Sequence, residues 1–271
     1  MLKLHVLASG SRGNAAIVEN TRTGEGVLVD CGICKREFFT RAEAAGFALG
    51  NLRAVVVTHD HGDHVKGMGV VLRGLAKAGA HPAVYASDAV FAASPALREA
   101  VASVKAPYAS LLPGDELGLG GMVVRPFATS HDAAASCGFR FEDRARGARA
   151  DALGCMTDTG IVTDEAWEAL AGVRLLALES NHDARMLREG PYPYPVKQRI
   201  ASDAGHLSND QAREALARLA HGGLQQVVAM HVSQENNTYR LPRETFQAVV
   251  AECGLPTAVS VAYQDRPVTI G

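Results

Sequence analysis

The chain has 271 residues, with 27 lysines and arginines against 29 aspartates and glutamates, giving a formal net charge of −2. Its 47% hydrophobic and 21% charged content argues against disorder, and no apolar run approaches the roughly 18–20 residues that a bilayer span requires. A protein gripping a long duplex through many phosphates would be basic, so any nucleic acid bound here is expected to be held through a few phosphates near one end.

The segment Lys3–Ala8 reads as a first strand rather than a signal peptide, which predicts a cytoplasmic protein. Ser9-Gly10-Ser11-Arg12-Gly13-Asn14 is a tight turn into strands at Ala15–Glu19 and Gly26–Asp30. A helix is predicted at Lys35–Ala45, ended by Gly46. The β-branched run Ala54–Thr58 reads as a buried strand, and a helix over Val65–Ala78 stops at Gly79. Further strands are predicted at Ala83–Ala86, Met122–Ala128, Ser136–Phe141, Leu153–Thr157, Leu175–Glu179, Gln225–Met230, Thr257–Val261 and Pro267–Ile270. Helices are predicted at Asp164–Leu170, at Asn209–Ala220 with Ser208 as N-cap, and at Pro242–Cys253. A strand meander followed by alternating strands and helices, roughly repeated in the second half, predicts an α/β fold. Two sheets face each other with helices outside, a four-layer α/β/β/α sandwich. With no linker or repeat, residues 1–271 read as one domain.

Thr58-His59-Asp60-His61-Gly62-Asp63-His64 carries the chemistry. Three histidines and an aspartate at HxHxDH spacing follow a buried strand, and a strand end can aim several side chains into one cleft. Imidazole nitrogen and carboxylate oxygen are ligands that borderline divalent metals prefer. More such residues follow other strands: His131 after Met122–Ala128, Asp158 after Leu153–Thr157, and His231 after Gln225–Met230. That is more than one ion needs.

This pattern resembles the metallo-β-lactamase superfamily along nearly the whole chain. The resemblance implies one metal held by His59, His61 and His131, a second held by Asp63, His64 and His231, and Asp158 bridging the two. It places Asp30 where an aspartate orients the first histidine loop. The antibiotic-hydrolysing and glyoxalase II branches fit poorly around Asp158, His231 and Thr129–Ala135, and the interval from Asp158 to His231 leaves no room for a β-CASP insertion. What remains is the small phosphodiesterase and nuclease branch. Four stretches resemble the YycJ (WalJ) exonuclease family: Ser9–Asn14, Glu179-Ser180-Asn181-His182-Asp183, Gly205-His206-Leu207-Ser208-Asn209, and His231-Val232-Ser233-Gln234-Glu235-Asn236-Asn237.

The resemblance implies a hydrolase that degrades DNA 5′-to-3′ with a hydroxide bridging two divalent ions; the ligand set accepts zinc or manganese, and iron as well. Asp63 and His206 are then expected to be catalytic, His206 from a helix N-terminus that favours phosphate. Ser11, Asn14, Asn181 and His182 are expected to support ligands or touch substrate. The expected partner is a DNA 5′ end, with no membrane contact and an oligomeric state left open. Two alternatives stand: a phosphodiesterase for small or cyclic diesters, and a metal-stabilised regulatory protein without turnover. Among the weaker signals, Cys31-Gly-Ile-Cys34 reads as buried thiols. The run Arg140, Arg144, Arg146, Arg149 with Glu142, Asp143 and Asp151 reads as a solvated hairpin. Gly190-Pro191-Tyr192-Pro193-Tyr194-Pro195, beside Arg185, Arg188, Lys197 and Arg199, suits either a packed loop or a seat for a single-stranded end.

Overall fold

A computed structural model describes residues 1–146 and 151–271. Strands β1 (Leu2–Ala8), β2 (Ala15–Asn20), β3 (Glu25–Val29), β4 (Leu52–Val56), β5 (Ala83–Ala86) and β6 (Tyr108–Ser110) precede β7 (Leu117–Leu119), β8 (Met122–Ala128), β9 (Cys137–Asp143) and β10 (Ala152–Met156). β11 (Leu175–Glu179), β12 (Gln226–Met230), β13 (Ala258–Val261) and β14 (Val268–Ile270) complete the set. They form two sheets, ordered β14-β1-β2-β3-β4-β5-β6 and β13-β12-β11-β10-β9-β8-β7. In each sheet an antiparallel set (β14 to β3, and β7 to β10) continues into parallel strands. The two sheets therefore repeat one topology, the first completed by the C-terminal strand β14.

Both faces of most strands are buried, because each sheet has a neighbour on either side. Leu4 and Val6 of β1, Val27 and Val29 of β3, Leu175 and Ala177 of β11, and Val228 and Met230 of β12 meet between the sheets. The alternate residues Ile17, Leu28 and Val55 face one outer helix layer, and Leu176, Leu178, Val227 and Ala229 face the other. The order is α/β/β/α. Among the described residues no helix is long and apolar enough to cross a membrane.

The helices follow from their apolar stripes and caps. Ten are present: α1 (Lys35–Ala44), α2 (Gly62–Val65), α3 (Met68–Lys77), α4 (Asp88–Ala93), α5 (Pro95–Val104), α6 (Asp164–Leu170), α7 (Ala184–Glu189), α8 (Tyr194–Ile200), α9 (Asn209–Leu219) and α10 (Arg240–Glu252), counted among the described residues. α3 buries Met68, Val71, Leu72 and Leu75, and α9 buries Ala212, Ala215, Leu216 and Leu219, both at i, i+3, i+4, i+7. Ser208 caps α9 through a reciprocal capping box with Gln211.

Four expectations need correction. The helix expected over 65–78 is broken between α2 and α3. Gly67 donates its N–H to Cys31 O, and a Cβ there would stand 1.9 Å from Ile33 O, so the backbone crosses at contact distance. Cys34 is exposed at the N-cap of α1, as is Cys253 elsewhere, so only Cys31, Cys137 and Cys155 are buried thiols. The charged run is not simply solvated: Glu142, Asp143 and Asp151 are buried, with Asp151 2.7 Å from Arg174 Nη2 and Asp143 3.4 Å from Arg22. Arg149 lies outside the described residues. The Pro-Tyr segment is not all loop, since α8 starts at Tyr194 with Pro195 in its first turn.

Candidate metal centre

Strand ends from both sheets converge at one edge of the sandwich. Asp30 follows β3, His59 to His64 run from the end of β4 into α2, and Asp158 follows β10. Glu179 closes β11, and His231 follows β12 directly. Asp30, Asp158 and His231 all have left-handed backbone, with φ of 58°, 58° and 52°. Such a conformation costs a non-glycine residue on the order of 1–3 kcal/mol and persists only where the surroundings enforce it. Here it turns each side chain from the strand axis into the shared cleft.

The loop carrying the histidines is locked against the strand beside it. Thr58 donates through both its backbone N–H and its hydroxyl to the Asp30 carboxylate, each at 2.8 Å, and His64 Nδ1 lies 2.7 Å from Asp30 Oδ2. A Cβ on Gly32 would sit 1.6 Å from Asp63 O, so only glycine lets the loop after β3 pass this close. Asn14 N donates to Asp63 O at 2.8 Å, and its side-chain amide reaches Asp63 Oδ2 at 3.1 Å and His64 Nε2 at 2.9 Å.

The hydrogen bonds also fix which nitrogen of each ring faces inward. His131 Nδ1 donates to Gly205 O at 2.9 Å, and His61 Nε2 donates to Asp132 O at 3.2 Å. The inward nitrogens, His131 Nε2 and His61 Nδ1, are then both lone-pair donors, only 3.2 Å apart. Two such lone pairs repel unless a shared proton or a metal cation lies between them. His59 Nε2, Asp158 Oδ2 and His231 Nε2 are buried with no hydrogen-bond partner in the cluster, an arrangement that is costly without a ligand. One ligand atom from each of His59, His61 and His131 lies within 4.8 Å of the others, and the same holds for Asp63, His64 and His231, and for His59, His64 and Asp158. Asp158 stands between the triads, with Oδ2 3.3 Å from His64 Nε2 and Oδ1 3.9 Å from His131 Nε2. These residues fit divalent metal ions. The face bearing His61, Asp63 and His206 is open, with side chains 27%, 23% and 18% exposed.

Glu179, which sequence reasoning left out of the site, is its hub. Fully buried, it accepts from His206 Nδ1 at 2.9 Å, Thr159 N at 3.0 Å and Leu207 N at 3.2 Å, and its Oε1 lies 3.2 Å from His231 Nδ1. Near enough to Asp158, His206 and His231 to be a ligand itself, it is instead saturated by these donors and acts as their holder. His206 is not at the helix N-terminus proper. Ser208 N and Gln211 N are engaged in the capping box and Asn209 N donates to His182 O, so those amides are not free for phosphate. Asn181 donates to His231 O at 2.8 Å, while Ser9 Oγ accepts from His231 N at 2.8 Å. Ser11, in the same turn as Ser9, is exposed. His182 is buried two residues from Ser180, paired through its backbone with Ser208.

Charge follows from this packing. Burial raises the Asp63 and Asp158 carboxyls, but neighbouring histidines outweigh it and hold both well below the usual range. Burial likewise opposes ionisation of Glu179, yet the His206 charge and the hydrogen bonds from His206 and His231 bring it to about 2. Burial lowers His231, but Asp158, Asp63 and Glu179 together raise it to about 10. His59 and His131 are lowered, first by burial and then by neighbouring histidines. In metal-free protein the ionised Glu179 contributes stability that is present above its usual 4.5 and is lost as pH falls through about 2. The protonated His231 contributes stability that is present below 6.5 and is lost as pH rises through about 10. Thermal melts of chelated protein are therefore expected to peak near about pH 5–6 and to decline toward pH 10. Refilling with metal, which takes the place of those protons, is expected to flatten the alkaline limb; an alkaline decline identical with and without metal would contradict this account.

The profile of the beta-lactamase superfamily domain matches residues 26–232. The exodeoxyribonuclease YycJ of Bacillus anthracis is 34% identical over 253 residues, covering 93% of this chain and 90% of that protein. The exodeoxyribonuclease WalJ of Streptococcus pneumoniae is 31% identical over 268 residues, covering 97% and 93%. Among solved structures, the metallo-beta-lactamase fold protein YhfI from Bacillus subtilis superposes with a TM-score of 0.72 at 16% identity, covering 99% of each chain.

Proposed function

Since the chain belongs to the beta-lactamase superfamily and, within it, to the YycJ/WalJ exodeoxyribonucleases, we propose that it is a metal-dependent phosphodiesterase that shortens DNA from its 5′ ends in the cytoplasm. The observation that carries this reading is the convergence of His59 Nε2, Asp158 Oδ2 and His231 Nε2, buried and unpartnered, beside the facing lone pairs of His61 and His131. One cation would be held by His59, His61 and His131, and a second by Asp63, His64 and His231, with Asp158 within reach of both. Two divalent ions so held supply positive charge that acidifies water and stabilises phosphoryl oxygens.

The protein's own groups do the rest. Asp63, ionised and on the open face, is placed to accept a hydrogen bond from the attacking water and orient it. His206, gripped at Nδ1 by Glu179, keeps Nε2 for the phosphoryl group or the leaving oxygen. Glu179 accepts the Nδ1–H and fixes the orientation of the ring for proton transfer. Asp30 holds the His64 ring at Nδ1, Asn181 anchors the His231 backbone carbonyl, and Asn14 anchors the backbone of Asp63.

A duplex labelled internally and carrying either a 5′-phosphate or a 5′-hydroxyl, incubated with protein refilled with Zn²⁺ or Mn²⁺, tests the reading. Stepwise shortening from the 5′ end that chelator abolishes is expected. Hydrolysis of small diesters alone would make the site that of a small- or cyclic-diester phosphodiesterase, and no turnover with any metal would leave only a regulatory role.

A further inference from the structure

Helix α8 has two dissimilar faces. Arg199 pairs with Asp132, the residue whose carbonyl receives His61 Nε2–H, so this face looks toward the histidine cluster. Tyr194, Lys197, Gln198 and Ala201, at i, i+3, i+4, i+7, share the other face. There they line a groove of about 330 Å³ together with Leu187 and Arg188 of the α7 segment and with His182. The volume is that of a small-molecule seat, and the sequence stretch Glu179–Asp183 ties it to the cluster: Glu179 holds His206, and three residues on His182 borders the groove.

The chemistry of the groove is specific. Tyr194 is 71% exposed, the highest among the exposed large apolar side chains of the described residues, and Gln198 Nε2 braces its hydroxyl at 2.9 Å. An aromatic face held open to solvent is a stacking platform. Lys197 Nζ donates to Arg188 O at 2.8 Å and has no carboxylate partner among the described residues, so its charge is uncompensated. His182 is 3% exposed with its Nδ1 unpartnered, and burial lowers it to about 4, so the ring is neutral. Apolar walls, one exposed aromatic ring, a neutral buried imidazole and the Lys197 and Arg188 cations together match a flat heteroaromatic ring attached to a phosphate. A bare anion would leave the Tyr194 face and the apolar walls unused.

We propose that this groove seats the unpaired 5′-terminal nucleobase of a DNA strand, stacked on Tyr194 with its phosphate toward Lys197, while the strand crosses α8 to the histidine cluster. The assignment rests on the nuclease reading above and deepens it: a base held in the groove requires a frayed or single-stranded end.

The test is equilibrium binding of metal-loaded protein to a fluorescent phosphorothioate-linked oligodeoxynucleotide, read by anisotropy at fixed salt. Replacing the 5′-terminal nucleotide by an abasic residue is expected to weaken binding to the wild type about tenfold. Tyr194→Ala is expected to weaken binding of the intact strand by the same factor and to bind the abasic strand no worse than wild type does. Tyr194→Phe, which keeps the ring, is expected to retain the discrimination. A wild type indifferent to the terminal base, or a Tyr194→Ala variant that still distinguishes the two strands, overturns the proposal. Because binding needs no turnover, the two readings fail separately. Base-dependent binding without DNA shortening refutes the exonuclease and keeps the groove; shortening without base dependence refutes the groove alone.

Discussion

Asp158→Asn is expected to lower DNA hydrolysis by on the order of 10³-fold, about 4 kcal/mol of transition-state stabilisation, and to leave at most one tightly held metal ion per chain. Asparagine has the same shape and also tolerates left-handed backbone, so the φ of 58° at this position survives the exchange and the variant isolates the charge. That charge matters because Asp158 faces both triads, with Oδ2 3.3 Å from His64 Nε2 and Oδ1 3.5 Å from His231 Nδ1 and 3.9 Å from His131 Nε2. An amide can offer one oxygen to one ion, while its NH₂ would point a donor at the other. Elemental analysis after dialysis reads the metal count, and turnover on 5′-labelled DNA reads the chemistry. Retention of two ions with undiminished turnover would remove Asp158 from the centre and, with it, the dinuclear assignment.

The parts of this centre differ in how far sequence reveals them. The histidine loop is local: HxHxDH places three imidazoles within six positions, so spacing alone implies a shared cleft. Strands such as Leu175–Glu179 and Gln226–Met230 are visible as unbroken apolar runs because both their faces are buried. Asp30, Asp158 and His231 can be noticed at strand ends, but the left-handed turn that aims them cannot, since neither Asp nor His announces it as glycine would. Glu179 is hidden because it terminates the run Leu-Leu-Ala-Leu-Glu, where a lone carboxylate reads as the edge of a strand. The available signal was positional: it ends its strand just as Asp158 and His231 follow theirs. Helix α5 was equally available, with Ser94 as N-cap and Pro95 opening the helix, whereas the three-residue strands β6 and β7 are too short for any periodicity to register. The break before α3 belongs to a different category. It depends on Gly67 meeting Cys31 and Ile33 from another part of the chain, a contact that no local pattern encodes.

Glu179→Gln tests whether the site is held as well as filled. The carboxylate is wholly buried and serves two backbone N–H groups, from Thr159 and Leu207, and two imidazoles, from His206 and His231. A glutamine keeps one acceptor oxygen but turns an NH₂ toward groups that are themselves donors, leaving buried donors unpaired at about 1–3 kcal/mol each. Removing the charge also strips the histidines of their buried counter-ion, for a combined loss of about 3–5 kcal/mol. The thermal midpoint should fall by about 6–20 °C, at roughly 2–4 °C for each kcal/mol in a chain of this size. Turnover should fall about 10–100-fold, the usual effect of loosening a group that orients ligands. A merely structural role predicts the first change without a specific pattern in the second. If Glu179 works through His206, then His206→Ala added to Glu179→Gln should cost little more than either change alone, because both disable one unit. Additive losses in kcat, or a Glu179→Gln variant with wild-type turnover, would show that His206 acts independently of the carboxylate that grips it, and the proton-delivery role assigned to that pair would have to be withdrawn.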